Sequence, residues 1–159
     1  MPATKTVYDE DFYAWSKDQS EALRSAARAR SNLKLDWENL AEEIESLGKS
    51  ERRELASRLS QIIQHLAKLA HSPAIDPRPG WRETIMRERL EIERILEGSP
   101  SLRREVPHLI EQEASRAIDL AIDVLRAYGE LKDSDRRTAA AAYTPDQILG
   151  DWFPPEPQG

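Results

Sequence analysis

Glu51, Arg58 and His65 stand one heptad apart in a stretch whose other repeating residues are apolar. At about 100° per residue all three fall inside the apolar stripe of a helix rather than on its outer face. Glu88 and Arg89 lie beside a second such stripe. Glu113 lies within a third, with Arg116 at its edge. One imidazole and two carboxylates are a donor set that could hold a divalent metal with open positions. A carboxylate beside an imidazole also raises its pKa and makes an acid–base pair. Folding the chain about the 71–80 connection and about Gly98 brings His65, Glu88 and Glu113 to one level. Two readings follow. In one, those three residues form the metal site of a metal-dependent enzyme. In the other, which the sequence favours, Arg58, Arg89 and Arg116 pair with Glu51, Glu88 and Glu113. Such pairs fix helix register at little or no net gain in stability and need no cofactor.

The remaining motif search is negative. The chain has no Gly-rich phosphate loop and no His-Glu-x-x-His. A carboxylate di-iron site needs two Glu-x-x-His pairs on different helices. Only Glu105 and His108 have that spacing, with Pro107 between them. There are no cysteines, which excludes disulfides, thiolate metal sites and a cysteine nucleophile.

Helices must position these groups, and their signals are local. Asp36 is an N-cap whose carboxylate can accept from the Asn39 backbone N–H. Leu35 and Leu40 occupy the positions of a hydrophobic staple. Trp37, Leu40, Ala41, Ile44, Leu47, Leu55, Leu59, Ile62, Leu66 and Leu69 then recur in threes and fours. The stripe stays in phase across Gly48, which predicts one helix over 36–70, about 50 Å long at 1.5 Å per residue. Glu38, Glu42, Glu45, Lys49 and Arg52 form its solvated outer face, with Glu45 and Lys49 an i,i+4 pair. Before it, 8–29 reads as a first helix with Tyr8, Phe12, Trp15, Leu23 and Ala26 on one side. Pro73, Pro77 and Pro79 predict a loop over 71–80.

Trp81 opens a helix that ends at Leu96, with Gly98 past its end. Ser99 is placed to cap the next helix and Pro100 to start it. That helix runs to about Tyr128, with Pro107 dividing off its beginning. Leu102, Val106, Leu109, Ile110, Ala117, Leu120, Ala121 and Val124 form its main face. Ile118 and Ile122 lie roughly opposite, where a second neighbour such as another subunit could sit. Gly129 ends the helix. A charged, exposed stretch at 133–137 and a turn of helix at 139–142 precede a capping box at Thr144 and Gln147. Trp152 and Phe153 predict a tail docked on the body, and the tryptophans read as packing anchors.

No strand alternation appears. The expected fold is all-α, an antiparallel bundle of four main helices with a short C-terminal helix and tail docked on it. Residues 1–7 are expected to be flexible, 8–153 to form a single domain and 154–159 a Pro-rich tail. The chain has 159 residues, 39% hydrophobic and 33% charged, with only 6 glycines, the balance of a soluble helical protein. A net charge of −6 argues against nucleic acid as a partner. No apolar run is long enough for a bilayer, and residues 1–6 lack the core of a signal peptide. These features predict a cytoplasmic protein with no membrane contact.

The block Trp37-Glu38-Asn39-Leu40-Ala41-Glu42-Glu43-Ile44-Glu45-Ser46-Leu47-Gly48 is followed by His65-Leu66-Ala67-Lys68, by Trp81-Arg82 with Ile85, and by Tyr143-Thr144 before Gln147-Ile148-Leu149. This arrangement resembles the bacterial domain-of-unknown-function family twenty-nine over nearly the whole chain. The resemblance implies a small, all-helical bacterial protein and no assigned activity. Without a catalytic signature, the expected role is a non-enzymatic interaction or scaffold module. It would bind a protein partner or associate with itself as a homodimer.

Overall fold

The structure, a computed structural model, describes residues 7–29, 32–131 and 143–157. The predicted features at 133–137 and 139–142 lie outside the described residues. The elements are α1 (Val7–Glu10), α2 (Phe12–Arg28), α3 (Trp37–His71), α4 (Arg78–Gly98), a 3-10 helix (Pro100–Glu105), α5 (Val106–Ala127) and α6 (Pro145–Leu149). No strand occurs among the described residues, so the fold is all-α, with four long helices and a short C-terminal one. The chain divides into two compact units. One comprises Met1–Leu55 and Arg94–Glu105, the other Ala56–Glu93 and Val106–Gly159.

In the first unit, Asp11 decides the local geometry. The expected single helix over 8–29 is split there because Asp11 takes an extended conformation, φ −156°, and caps α2 through the Ala14 N–H. The same carboxylate accepts from the Ser101 backbone N–H at 2.7 Å and from its hydroxyl at 2.8 Å. One side chain thus starts α2 and holds the 3-10 helix against it. Ser99 does not cap with its hydroxyl as expected. That hydroxyl donates to Glu51 of α3 at 2.7 Å and accepts from the Tyr13 N–H at 3.1 Å. The edge-on rings of Tyr8 and Trp15, with Phe12 beside them, tie α1 to α2.

α3 runs unbroken for 35 residues. Its cap is the predicted one, Asp36 accepting from Asn39 at 3.3 Å. Gly48 is no weak point in this helix. A Cβ there would overlap the Ser16 hydroxyl and lie 3.1 Å from the Ser16 Cβ, so at Gly48 α2 packs close against α3. α2 meets it with Ser16 and Ser20, small residues one turn apart and both buried. Two residues of the supposed outer face are not merely solvated. Glu45 accepts from Arg24 of α2 at 2.6 Å as well as pairing with Lys49, and Arg52 reaches Glu105 at 3.2 Å.

In the second unit, α3 and α4 form an antiparallel hairpin. Passing along α3 from Arg58 to Lys68, the partners on α4 pass back from Glu88 to Trp81. The connection is shorter than the prolines suggested, because α3 continues to His71 and α4 begins at Arg78. Pro79 falls in the first turn of α4, where a backbone N–H has no intrahelical acceptor to miss. The core is Leu59, Ile62, Ile63, Leu66 and Leu69 of α3, Ile85 and Ile92 of α4, Ile148 of α6 and one face of α5. Pro107 sits in the first turn of α5, just after the 3-10 helix. α5 ends as Gly129 predicts. Gly129, at φ 72°, donates to Arg126, and the Glu130 N–H donates to Leu125, the paired bonds of a Schellman motif. The capping box of α6 forms between Thr144 and Gln147.

Candidate functional site

Of the seven interior polar residues, Arg58 and Glu88 meet. They lie 3.0 Å apart between α3 and α4, with their side chains 26% and 16% exposed. His65, one heptad further along α3, places Nδ1 2.7 Å from the Gln61 carbonyl of its own helix. A proton on Nδ1 satisfies that carbonyl and leaves Nε2 as an acceptor. Burial pushes the His65 pKa down, the Gln61 hydrogen bond raises it, Lys68 lowers it, Glu88 raises it, and the net shift is downward. The site therefore pairs the Glu88 carboxylate with Arg58, while the His65 imidazole, its pKa lowered, is held by the carbonyl of its own helix.

One consequence is a pH dependence. A folded-state pKa below the usual 6.5 means the unfolded chain takes up the proton first. Stability should fall as the pH drops through about 6.5 toward the lowered folded value, and His65→Gln should remove that part of the loss. Thermal unfolding of the two proteins between about pH 8 and 5 is the measurement. Parallel curves would show that His65 does not titrate differently on folding.

The other residues go elsewhere. Among the described residues, no three His, Asp or Glu side chains gather as a metal-binding group, so His65, Glu88 and Glu113 are not assembled into one. The reason is the rotation of α5. Its buried face is Val106, Leu109, Ile110, Ala117, Ile118, Ala121, Ile122 and Leu125, turned by roughly 50° from the face the periodicity suggested. Ile118 and Ile122 join the core, Leu120 faces out, Glu113 moves to the half-buried edge and Arg116 to the surface. Glu51 belongs to the first unit, as the acceptor for Ser99.

Arg89 binds backbone carbonyls rather than the glutamate the sequence suggested. It donates to the carbonyls of Ile148 at 2.8 Å, Gln147 at 3.0 Å and Trp152 at 2.6 Å. Its guanidinium lies 5.0 Å over the Phe153 ring, with Arg82 at 5.6 Å. Burial lowers its pKa, which the charge of Asp151 partly offsets. Arg89 is thus the clamp that docks the tail on α4.

Arg78, unforeseen in the sequence, does the same for α3. It is buried and donates to the carbonyls of Leu69 at 2.9 Å and Ser72 at 3.1 Å. The sequence signal was an arginine immediately before a first-turn proline, facing the end of the previous helix.

A second candidate lies along α5. A cavity of about 490 Å³ has Pro107, Ile110, Ala114 and Ile118 as its floor and Tyr143 and Pro145 as its wall. Glu111, Ser115 and Asp119 form its rim. Burial pushes the Tyr143 hydroxyl up to about 12, so the wall stays neutral at any ordinary pH.

The fold and these sites define a small all-helical protein, and among its described residues no three His, Asp or Glu side chains are grouped to hold a metal ion. The chain belongs to the family described as domain of unknown function DUF29, whose profile matches residues 7–153. It is similar to an α-helical protein of unknown function from Rhodospirillum rubrum, with 25% identity and a TM-score of 0.70. That likeness covers 92% of this chain and 90% of the other. No curated protein matches it.

Proposed function

We propose that the chain is a non-enzymatic interaction module of the bacterial cytoplasm that works by self-association. The observation that carries this reading is an uncovered stripe on α3 in the first unit. Leu40 is 41% and Leu47 51% exposed, one heptad apart, with exposed Leu35 and Leu33 ahead of them. The stripe is open because α4 ends at Gly98, where Ser99 meets Glu51, so the part of α3 before Glu51 has no α4 beside it. Exposed leucines repeated along one flank of a helix offer an apolar face to a partner. Leucines at heptad spacing match a second copy of the same stripe in a two-fold, isologous pairing, the commonest oligomeric arrangement. None of the described helices is long and apolar enough to cross a bilayer.

Light scattering on a size-exclusion column tests this. The native protein should run above monomer mass, and Leu40→Glu with Leu47→Glu should reduce it to monomer with unchanged circular dichroism. A strict monomer at high concentration would overturn the reading.

A further inference from the structure

The cavity on α5 is independent of the leucine stripe and carries its own argument. Its floor is apolar and continuous along one side of a helix, from Pro107 through Ile110 and Ala114 to Ile118. Its rim carries two carboxylates, Glu111 and Asp119, and among the described residues no lysine or arginine lines it. At 1.5 Å per residue the distance from Pro107 to Asp119 is about 18 Å, the length of roughly three helical turns. A volume of about 490 Å³ falls within the range of formed ligand sites, yet the cavity is an open groove rather than an enclosed pocket. The wall is stiff. Pro145 is in the first turn of α6, Thr144 is locked by its capping box, and Tyr143 packs toward Trp152 at 6.0 Å between ring centres.

We infer that this groove is a docking site for a basic amphipathic helix of a partner protein, about three turns long. Apolar side chains of the partner at i, i+3 or i+4, and i+7 occupy the floor, the spacing by which helices lie in grooves. Lysines or arginines flanking that face meet Glu111 and Asp119. The rim sets the sign of the partner, because like charges brought together at an interface cost several kcal/mol. An anionic lipid surface is the wrong sign for this rim, and so is the α3 leucine stripe of a second copy, which runs beside Glu38, Glu42 and Glu45.

The test uses the full-length protein and a dye-labelled peptide of leucine and lysine at helical spacing, read by fluorescence anisotropy. The peptide should bind saturably. Glu111→Lys with Asp119→Lys, both exposed positions, should weaken it about tenfold or more with unchanged circular dichroism. Glu83→Lys with Glu97→Lys, the same charge change at exposed positions away from the groove, should leave binding intact. A leucine–glutamate peptide should bind the Glu111/Asp119 double variant and not the native protein. Leu40→Glu with Leu47→Glu should bind the lysine peptide as the native protein does, which separates this groove from the self-association face.

Four outcomes overturn the proposal. The first is equal loss in both charge-reversed proteins, which is attraction by net charge alone. The second is no effect of the rim reversal. The third is uptake of neutral Nile red with no peptide binding, which is a small-molecule site. The fourth is a native assembly mass that falls on rim reversal, which makes a second copy the occupant.

Discussion

Leu59→Ala is expected to lower the free energy of unfolding by about 2–5 kcal/mol. Leu47→Ala should change it by no more than about 0.5 kcal/mol when measured at a concentration where the protein is monomeric. The two leucines share one helix and one apolar repeat, yet Leu59 is 0% exposed and Leu47 is 51% exposed. Truncating Leu59 leaves a cavity beside Ile62 and Ile63, its i+3 and i+4 neighbours, both fully buried side chains with little room to collapse. Truncating Leu47 removes surface that water already reaches. Urea unfolding with an unchanged slope gives both numbers. Similar costs at the two positions would mean that the first half of α3 is covered as fully as the second.

That contrast shows where the sequence runs out. Asp36, Gly129 and the Thr144–Gln147 box are legible because each acts within a few residues of itself, and all three do what their types predict. The apolar period of α3 is legible too, and it is continuous. Whether a given flank of that stripe acquires a neighbour depends on where another helix stops, and nothing near Leu40 or Leu47 encodes the end of α4. The same limit explains Gly48. A glycine inside a helix reads as a cost of about 1 kcal/mol, and its role as a point of close approach appears only once Ser16 lies against it.

The polar residues were harder still. A guanidinium binds a carboxylate or a helix's terminal carbonyls with similar chemistry. Arg58 does the first and Arg89 the second. Periodicity placed both near the interior but could not assign the acceptor. A small rotation of α5 sufficed to keep Glu113 from the level of His65, since each residue step turns the face by about 100°.

Arg78→Met should cost about 2–4 kcal/mol, although it substitutes an apolar side chain of similar length at a buried position. The guanidinium closes the end of α3 by donating to Leu69 at 2.9 Å and Ser72 at 3.1 Å. Both acceptor residues are fully buried, so a methionine leaves their carbonyls with neither a donor nor water. A cation at a helix C-terminus also opposes the negative end of the helix dipole, a further contribution that methionine lacks. The charge itself has a partner in Glu156, 3.7 Å away but 70% exposed, so that pair adds little and Glu156→Gln should be nearly silent. Arg78→Lys separates charge from shape. An ammonium keeps the charge but cannot fork to two carbonyls, and it should recover less than half of the loss. Urea unfolding of the three variants decides the matter. A methionine variant within about 0.5 kcal/mol of the native protein would show that these carbonyls find other donors, and the end of α3 would need a different account.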